Sequence, residues 1–366
     1  MRTVIVGGGL VGLTTAASLR RIGHEVTVLE QASRVRAVGA GIGLWSNALR
    51  EFDEIGIGAQ VRGLGREIST WFFDPAGHPV RAAGYGEADH RFLLVPRPAL
   101  NSLLADTVGR DRITLDARVS GYTERDTEVL VHLASGEDVP ADLVIGADGV
   151  YSRVRAQLVP GSDAVPHAGH YAWRAVVPTG AGLRPAGTVL TIGPDRTRGG
   201  YAQVADGQTM WMINQFAAGP LTGSKGERAL VRARGLAEAG WQEDLLRMIA
   251  DTPEEAILEN EIMLVPPLPR WSSGRVVLIG DAAHGLSPHI AAGGTLGIED
   301  AGVLRAGLAD GPDTAAALCR YERARAARFE QVRVHADAVE HAVGAAEFAL
   351  RYAEFSHWML TTAPTS

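Results

Sequence analysis

Residues 4–30 constrain the fold more than any other part of this chain, because they read as strand, glycine turn, helix and second strand. A β-branched run at 4–6 is typical of a buried strand, and it is followed by glycines at G-x-G-x-x-G spacing: Gly7, Gly9 and Gly12. Such glycines permit a tight turn, a close backbone approach to a pyrophosphate and close packing of helix on strand. The second strand ends at Glu30, an acid placed to bind ribose hydroxyls. The pattern predicts a dinucleotide-binding unit, although glycines also cluster in loops of other kinds.

Length and composition restrict the classes of protein that remain. A chain of 366 residues suits two domains, and contents of 46% hydrophobic and 21% charged residues are typical of a globular protein. The net charge of −7 argues against nucleic acid or an anionic membrane surface as a partner, since both attract clustered Lys and Arg. No apolar run reaches the ~18 residues of a membrane span, so we expect no membrane insertion.

Cys319 is the single cysteine of the chain. It cannot form an internal disulfide, so we expect a reducing, cytoplasmic location. We interpret it as a small residue buried in a helix rather than as a nucleophile. The surrounding stretch, residues 314–359, has an almost wholly helical pattern and is expected to pack on the cofactor domain; a monomer and a homodimer both remain open.

A glycine-containing segment follows Glu30. Residues 31–47 read as a loop with Gly39, Gly41 and Gly43, which is typical either of a mobile loop or of backbone lying against a flat ligand. Arg97 precedes a predicted helix at 98–108, where it either reaches a cofactor phosphate or caps local structure. Residues 114–119 and 128–133 are predicted to pair as strands.

Two further strands end in acids. The predicted strand at 143–147 ends at Asp148, and the strand at 276–279 ends at Gly280 and Asp281. A carboxylate at the end of a parallel strand faces the crevice in which α/β folds bind ligands, although Asp148 also suits a helix N-cap. After Asp281, a loop containing Pro288 leads to a long helix that opens at Gly293 and Gly294 and directs its positive end inward.

Residues 171–216 show strands without intervening helices and predict a second, antiparallel sheet. The alternation separates Trp211, Ile213 and Gln215 from Met210, Met212 and Asn214. An aromatic and methionine stripe of this kind either lines a pocket or forms plain core. The polar side chains that are candidates for the pocket are Arg174, Arg196, Arg198 and Asn214.

Together the three glycine-and-acid blocks resemble the signatures of the class A flavoprotein monooxygenases, the p-hydroxybenzoate hydroxylase fold group. Asp148, Gly149, Ser152 and Arg155 match the family's Asp-Gly-x-x-Ser-x-x-Arg motif in full, and Gly280 with Asp281 matches its Gly-Asp motif. The segments GAGIGLWSNAL and HAGHYAW, with the helix after Arg97, are similar to the urate-hydroxylase-like branch. In that branch an arginine lies near the place of Arg198, and a tyrosine falls on Trp211.

The resemblance implies an α/β fold in which a Rossmann-like FAD-binding domain is interleaved with an antiparallel-sheet substrate domain and ends in a long helical C-terminus. The implied FAD-binding domain comprises residues 1–70, 98–165 and 270–366, and the substrate domain comprises 71–97 and 166–269. The implied FAD-binding residues are Gly7, Gly9, Leu10, Val11, Gly12, Glu30, Gln31, Gly43, Arg97, Val119, Asp148, Asp281, Gly293, Gly294 and Thr295.

The resemblance also implies a reaction. FAD would be reduced by transiently bound NADH or NADPH and would capture O₂ as a flavin C4a-hydroperoxide, which delivers one oxygen to a small aromatic or heteroaromatic substrate. The residues implied at the substrate are Arg198, Trp211, Asn214 and Pro288. The alternative is a flavin-dependent dehydrogenase or reductase of the same fold without oxygen insertion.

No metal site is expected. His167 with His170, and His284 with His289, are close pairs along the chain, but no carboxylate or cysteine nearby completes a ligand set. His284 or His289 is a candidate proton relay by position alone.

Overall fold

The computed structural model describes residues 1–35, 40–180, 188–216, 218–311 and 313–364; Gly39 lies outside the described residues. The strands in chain order are β1 (Arg2–Val6), β2 (Glu25–Leu29), β3 (Gly41–Leu44), β4 (Arg66–Phe73), β5 (Pro79–Val80), β6 (Arg91–Pro96), β7 (Ile113–Thr114), β8 (Val119–Glu124), β9 (Val129–Leu133), β10 (Asp138–Ala141), β11 (Leu143–Gly146), β12 (Val165–Pro178), β13 (Thr188–Ile192), β14 (Arg198–Ala205), β15 (Gln208–Gln215), β16 (Leu258–Leu264) and β17 (Val276–Leu278). The α-helices are α1 (Leu10–Arg21), α2 (Ser46–Glu54), α3 (Gly58–Leu64), α4 (Arg97–Val108), α5 (Arg153–Leu158), α6 (Lys225–Arg234), α7 (Glu243–Asp251), α8 (Asp281–His284), α9 (Gly293–Ala309), α10 (Thr314–His341) and α11 (Gly344–Thr361).

Strand β1 is the middle strand of a five-stranded parallel sheet in the order β17-β11-β1-β2-β7. The side chains of β1 and β11 are buried on both faces, which is why these strands read as continuous apolar runs. Val6 is in register with Leu29 and with Gly146, and Gly146 is in register with Leu278. Because the four strands end level, the residues that follow them meet at one edge of the sheet.

The second sheet has nine strands in the order β16-β12-β15-β14-β13-β4-β6-β3, with β5 paired to β4. Its neighbours run antiparallel except β13, which runs parallel to β4. A small antiparallel sheet of β8, β9 and β10 lies apart from it. The predicted fold class is confirmed: a Rossmann-like α/β sheet, a largely antiparallel second sheet and a helical C-terminus.

Helices cover both faces of the second sheet. On one face, α6 and α7 pack against the strands through a buried cluster that includes Trp173, Trp211, Ile213, Leu236 and Leu245. α11 packs against β4, β5 and β13, and α10 packs against α9 and α11. Tyr321 of α10 donates its hydroxyl to the carbonyl oxygen of Leu278 on β17 at 3.1 Å, so the C-terminal helices contact both sheets. Within the described residues, none of the helices combines the length and the apolar character needed to cross a bilayer.

Three expectations about local structure are wrong. Residues 114–119 do not form one strand that pairs with 128–133. Residues 113–114 pair in parallel with β2, the chain turns at Asp116, whose φ is 56°, and β8, which begins at Val119, pairs with β9. The described part of 31–47 is not all loop, since β3 pairs with β6 and α2 begins at Ser46. Cys319 lies on α10 as expected but is exposed, whereas Ala317 and Leu318 beside it are buried.

The predicted domain boundaries remain a prediction. Strand β3 and most of β4 lie in the range 1–70 assigned to the FAD-binding domain, yet both strands pair within the nine-stranded sheet. The chain thus passes between the two sheets more often than a division into separate blocks suggests.

Candidate cofactor and substrate sites

A cleft of about 1090 Å³ opens at the edge where the parallel strands end. Its wall is built from separate segments, 7–9, 29–31, 117–120 and 147–153, together with Arg97 and Asn101 of α4. The structure therefore brings part of the predicted cofactor set to one place: Gly7, Gly9, Glu30, Gln31, Arg97, Val119 and Asp148.

The three glycines of the first turn have different surroundings. Gly7 has φ 110°, and a Cβ there would lie 2.4 Å from the carbonyl oxygen of Ala147. A Cβ on Gly12 would lie 2.0 Å from the carbonyl oxygen of Gly7, so α1 can approach β1 only without a side chain. At Gly9 nothing lies within 4 Å of such a Cβ, and no side chain caps α1. The open N-terminus of α1 thus faces the cleft with free N–H groups, as anion-binding helix ends do.

Glu30 lies at the end of β2 in the cleft wall. Its Oε2 accepts a hydrogen bond from the N–H of Gly8, and its Oε1 accepts one from the N–H of Ala32, both at 2.8 Å. The N–H of Ala117 donates to the backbone carbonyl of Glu30 at 2.9 Å, which brings Val119 to the same wall. These bonds hold the carboxylate in one orientation at the cleft edge.

Asp148 accepts hydrogen bonds from residues at the start of α5 and also lines the cleft. Its Oδ1 accepts a hydrogen bond from the hydroxyl of Ser152 at 2.5 Å, and its Oδ2 accepts one from the N–H of Arg153 at 2.6 Å. Burial raises the pKa of Asp148 in spite of these bonds. The N-cap itself is Ser152, whose oxygen accepts the N–H of Arg155 at 2.8 Å.

Arg155 joins two of the motifs. Its buried guanidinium donates to the carbonyl oxygens of Val150 at 2.6 Å, Ser162 at 2.9 Å and Ala282 at 3.1 Å. Ala282 directly follows Asp281, so this one side chain fixes the segment after β11 against the segment after β17.

Arg97 begins α4 in the cleft wall, and its N–H donates to the carbonyl oxygen of Ala40 at 3.2 Å. The Nε atom of its side chain is buried and makes no hydrogen bond with any described residue. A buried donor without an acceptor is costly, and an acceptor atom of a ligand in the cleft would remove that cost.

A second group of predicted residues gathers where α9 begins. Asp281 is exposed, and its Oδ1 lies 3.8 Å from the position of a Cβ on Gly293. A Cβ on Gly294 would lie 2.6 Å from Cδ1 of Ile42 and 3.4 Å from Cδ2 of Leu10. Helix α9 lacks a side-chain cap, so its positive end is open beside this acid.

Three of the predicted cofactor residues contact other parts of the protein and do not line the cleft. Val11 contacts Gly280 and Gly297, where added Cβ atoms would lie 3.1 Å and 2.3 Å from its methyl groups. The hydroxyl oxygen of Thr295 accepts the N–H of Trp45 at 3.3 Å. Gly43 lies against Phe92, whose ring would be 3.0 Å from a Cβ at that position.

Arg198 and Asn214 stand directly opposite each other on β14 and β15 and so share one face of the second sheet. Met210, on the same face as Asn214, accepts the N–H of Gly41 on its sulfur at 3.1 Å. Gly41 precedes Ile42, the neighbour of Gly294. This face of the sheet therefore continues to the start of α9.

The guanidinium of Arg198 is buried, with 1% of the residue exposed. It lies between the rings of Phe216 and Phe348, with Cζ 4.3 Å from each centroid, and burial lowers its pKa to about 9. Its Nη2 donates to the carbonyl oxygens of Val339 and Glu340 at 2.7 and 3.1 Å. Its Nε and Nη1 are buried without a partner among the described residues.

Trp211 does not share this face. It lies in the cluster under α6 and α7, is 0% exposed, and donates its indole N–H to Thr252 at 3.0 Å. Pro288 is exposed and opens a short 3₁₀ turn before α9. The structure thus groups Arg198 with Asn214 and separates both from Trp211.

His284, from the Gly-Asp block, is buried in the core. Its Nε2 lies 2.6 Å from Oδ2 of Asp300, and its ring packs against Trp271 and Phe329. The structure gives it a partner within the protein, and its role as a relay remains a prediction.

A cluster near Arg198 was missed because its acid comes from far along the chain. Glu340, at the end of α10, lies 2.9 Å from Nε2 of His167 and 3.0 Å from Nε2 of His170. The imidazoles of His170 and His167 lower the pKa of Glu340 to about 2 despite its burial. His289 is adjacent, and burial lowers its pKa to about 3. The H-x-x-H spacing was the one signal available in the sequence.

The residues present fit FAD. The open end of α1 and the space at Gly9 suit a pyrophosphate, the fixed carboxylate of Glu30 suits a ribose, and the unpartnered Nε of Arg97 suits an anionic acceptor. Fold and cleft together are those of an FAD-binding flavoprotein.

Comparison with known proteins identifies the family. A family model described as FAD binding domain matches residues 1–212 and 263–336. The chain is 33% identical over 333 residues to the aurachin C monooxygenase/isomerase of Stigmatella aurantiaca, covering 90% of this chain and 86% of that protein. It is 31% identical over 346 residues to the FAD-dependent urate hydroxylase of Mycolicibacterium vanbaalenii, covering 90% and 85%. HpxO of Klebsiella pneumoniae, solved with FAD and uric acid, superposes with a TM-score of 0.81 at 26% identity, covering 98% and 93%.

The chain belongs to this family of FAD-dependent monooxygenases, the aromatic hydroxylases, and FAD is its cofactor. The predicted family, class of enzyme and cofactor are confirmed.

Proposed function

We propose that this enzyme uses NADH or NADPH and O₂ to insert one oxygen atom into a small aromatic or heteroaromatic substrate that carries an acidic oxygen or ring nitrogen. The observation that carries the substrate class is Arg198. A buried cation with two unpartnered donor nitrogens, flanked by aromatic rings, favours a flat and electron-rich ligand that presents an anionic acceptor.

Bound FAD would supply the redox chemistry, accepting a hydride and activating O₂ for transfer of one oxygen atom. The chain would hold it with the open end of α1, Glu30 and Arg97 at one end, and with Asp281 and the start of α9 at the other. The positive end of α9 is suited to stabilise negative charge on the reduced cofactor.

The chain's other task is to orient the substrate and exclude water. Arg198 would bind the acidic group, and Asn214, opposite it, offers both a donor and an acceptor for a second polar group of a heteroaromatic ring. Phe216, Phe348 and the methionines of β15 supply apolar surface around them. Such surroundings limit the loss of activated oxygen to water.

The test is turnover of the purified flavoprotein with NADH and with NADPH. Uric acid, 6-hydroxynicotinate and 3-amino-4-hydroxybenzoate form a first panel, since they are compounds on which relatives of the chain act by name. We expect at least one such compound to stimulate both NAD(P)H oxidation and O₂ uptake, and mass spectrometry with isotopically labelled O₂ to find one labelled oxygen in the product. Substrate-dependent turnover without O₂ would instead establish a dehydrogenase or reductase.

Variants of Arg198 test the placement of the substrate. Arg198→Gln should lower kcat/KM about 10- to 100-fold, the usual value of hydrogen bonds to a charged group, while FAD content stays unchanged. Arg234→Gln, which removes an exposed arginine on α6, is the matched control and should leave kcat/KM unchanged. If Arg198→Gln turns over normally, the substrate lies elsewhere.

A further inference from the structure

The carboxyl end of α10 holds Arg198 through its backbone. The carbonyl oxygens of Val339 and Glu340 lie in the last turn of this helix, where no later residue of the helix offers them an N–H group. Nη2 of Arg198 donates a hydrogen bond to each of them, at 2.7 and 3.1 Å. The dipole of the helix also favours a cation at this end. The direction of the two unpartnered nitrogens, Nε and Nη1, therefore depends on where the last turn of α10 lies.

The side chain of Glu340 attaches this turn to β12. With a pKa of about 2, the carboxyl group is ionised at neutral pH and can only accept hydrogen bonds. Nε2 of His167 donates to its two oxygens, at 2.9 and 3.0 Å, and Nε2 of His170 lies 3.0 Å from Oε1. Only 10% of the Glu340 side chain is exposed, so this charged hydrogen bond is largely shielded from water and is strengthened by that shielding.

His167 and His170 reach the same carboxylate because β12 is irregular. In a regular strand, residues three apart point to opposite faces. Here the pairing register shifts between Pro166 and Tyr171, and Gly169 has φ 73°, a conformation that favours glycine. The two imidazoles consequently stack in parallel, with centroids 3.5 Å apart. Strand irregularities that re-aim side chains are over-represented next to active sites.

His170 also contacts the aromatic ring that covers Arg198. Cζ of Arg198 lies 4.3 Å from the centroid of Phe216. The ring of Phe216 meets those of His170 and His289 at right angles, with centroids 4.9 and 5.6 Å apart. His289 is itself attached to α10, since its Nε2 bonds the carbonyl oxygen of Ala336 at 3.0 Å. The guanidinium is thus restricted twice, by the carbonyl groups at the end of α10 and by a ring that packs on the histidines.

We propose that Glu340 and His167 are positioning residues for Arg198. The hydrogen bonds between their side chains fix the last turn of α10, and this turn directs Nε and Nη1 of the guanidinium toward the substrate. The inference rests on the proposed function, in which those nitrogens bind the acidic group. The charge of Glu340 acts in the same sense, because it raises the pKa of Arg198 against the larger, opposite effect of burial. An anionic substrate then meets a guanidinium that is already charged and oriented, which reduces the ordering needed on binding.

The first test does not require turnover, so it is independent of the proposed function. Crystal structures of the FAD-loaded wild type and of His167→Ala are compared at the end of α10, with FAD content and melting temperature establishing that the variant is folded. We expect Nη2 of Arg198 to bond the carbonyl oxygen of Val339 in the wild type. In the variant it should have left this oxygen or should occupy several conformations. An unchanged guanidinium in His167→Ala overturns the proposal.

The second test measures the consequence for substrate binding. With a panel compound that stimulates turnover, His167→Ala should raise KM about 3- to 10-fold, a part of the loss expected for Arg198→Gln, with a smaller change in kcat. His167→Gln, whose amide can donate in place of Nε2, should recover most of this loss. His341→Ala, which removes the neighbouring exposed side chain of α10, is the matched control and should leave KM unchanged.

Combination with Arg198→Gln separates this proposal from the proposed function. Changes that act through one guanidinium are not additive, so His167→Ala should raise KM little further in the Arg198→Gln background. Additive losses mean that His167 acts elsewhere and overturn the proposal. If Arg198→Gln alone leaves KM unchanged, the proposed placement of the substrate fails, and the crystal structures still decide whether His167 orients the guanidinium.

Discussion

Gly9 and Gly12 belong to the same turn but are required for different reasons. Gly12 is needed by the polypeptide itself, because a Cβ there would lie 2.0 Å from the backbone oxygen of Gly7. The polypeptide itself does not need a glycine at position 9, since the φ there is −79° and a Cβ would have no atom within 4 Å. If the open space at Gly9 is where the cofactor approaches, the two glycines can be separated by experiment.

We expect Gly12→Ala to destabilise the protein by more than the roughly 1 kcal/mol of an ordinary glycine substitution, because α1 must move away from β1. Gly9→Ala should leave the melting temperature of the apoprotein unchanged but lower FAD affinity, because its methyl group occupies space at the end of α1. The measurements are thermal melting of flavin-free protein and titration with FAD. Normal FAD affinity in Gly9→Ala would show that the pyrophosphate does not pass this residue.

At the scale of single elements, β15 shows what strand periodicity decides and what it leaves open. Alternation separates its two faces correctly, and residues 211 and 214, three apart, cannot both face the substrate. Assigning Trp211 and Asn214 to one pocket conflicts with that period. The structure resolves the conflict by placing Trp211 under α6 and α7, where its indole N–H bonds Thr252.

We therefore expect Trp211→Phe to lower the free energy of unfolding by more than the about 1 kcal/mol of one hydrogen bond, because the smaller ring also leaves a cavity, and to leave kcat/KM nearly unchanged. Thr252→Val removes the same bond from its other partner, so the double variant should lose less than the sum of the single losses. Urea denaturation and steady-state kinetics of the three variants provide the comparison. A large fall in kcat/KM with unchanged stability would restore Trp211 to the substrate site.

How much of the architecture follows from sequence depends on how local its cause is. The strand, turn and helix at 4–30, the helix start at Gly293 and the acids at the strand ends are determined by neighbouring residues, and the structure contains all of them. Neighbouring residues do not determine the parallel pairing of β13 with β4, because it joins segments more than a hundred residues apart. Glu340 was likewise missed, since only the packing of α10 brings it to His167, 173 residues away along the chain.

At the scale of the whole molecule, one buried ionic network joins the Gly-Asp block to the C-terminal helices. Asp300 of α9 accepts the N–H of Gly280 at 2.8 Å, lies 2.6 Å from Nε2 of His284 and accepts Nε–H of Arg325 at 2.6 Å. Gly280 has φ 55°, so the turn before Asp281 is held in its conformation by an acid on another helix. Arg325 also pairs with Glu299 at 2.8 Å, which extends the network along α9 and α10.

The pH dependence of this network has a defined sign. Burial opposes ionisation of Asp300, but attraction from His284 and Arg325 outweighs it and lowers its pKa below the ordinary value. An acid whose pKa is lower in the folded than in the unfolded state, where it is about 3.9, stabilises the fold above that pH. The stabilisation is lost as the pH falls from about 4 through the lower folded value.

Asp300→Asn should accordingly cost about 3 kcal/mol at neutral pH, because it removes one of the two carboxylates that pair with the buried guanidinium of Arg325 and the charged partner of His284. The difference in unfolding free energy between wild type and variant, measured by urea denaturation, should shrink as the pH is lowered from about 7 toward 3, since protonation removes the same interaction from the wild type. Asp310→Asn, at the exposed end of α9, is the control and should change stability little at any pH. A difference for Asp300→Asn that stays constant across this range would mean that the carboxylate is not the group that holds the C-terminal helices to the cofactor domain.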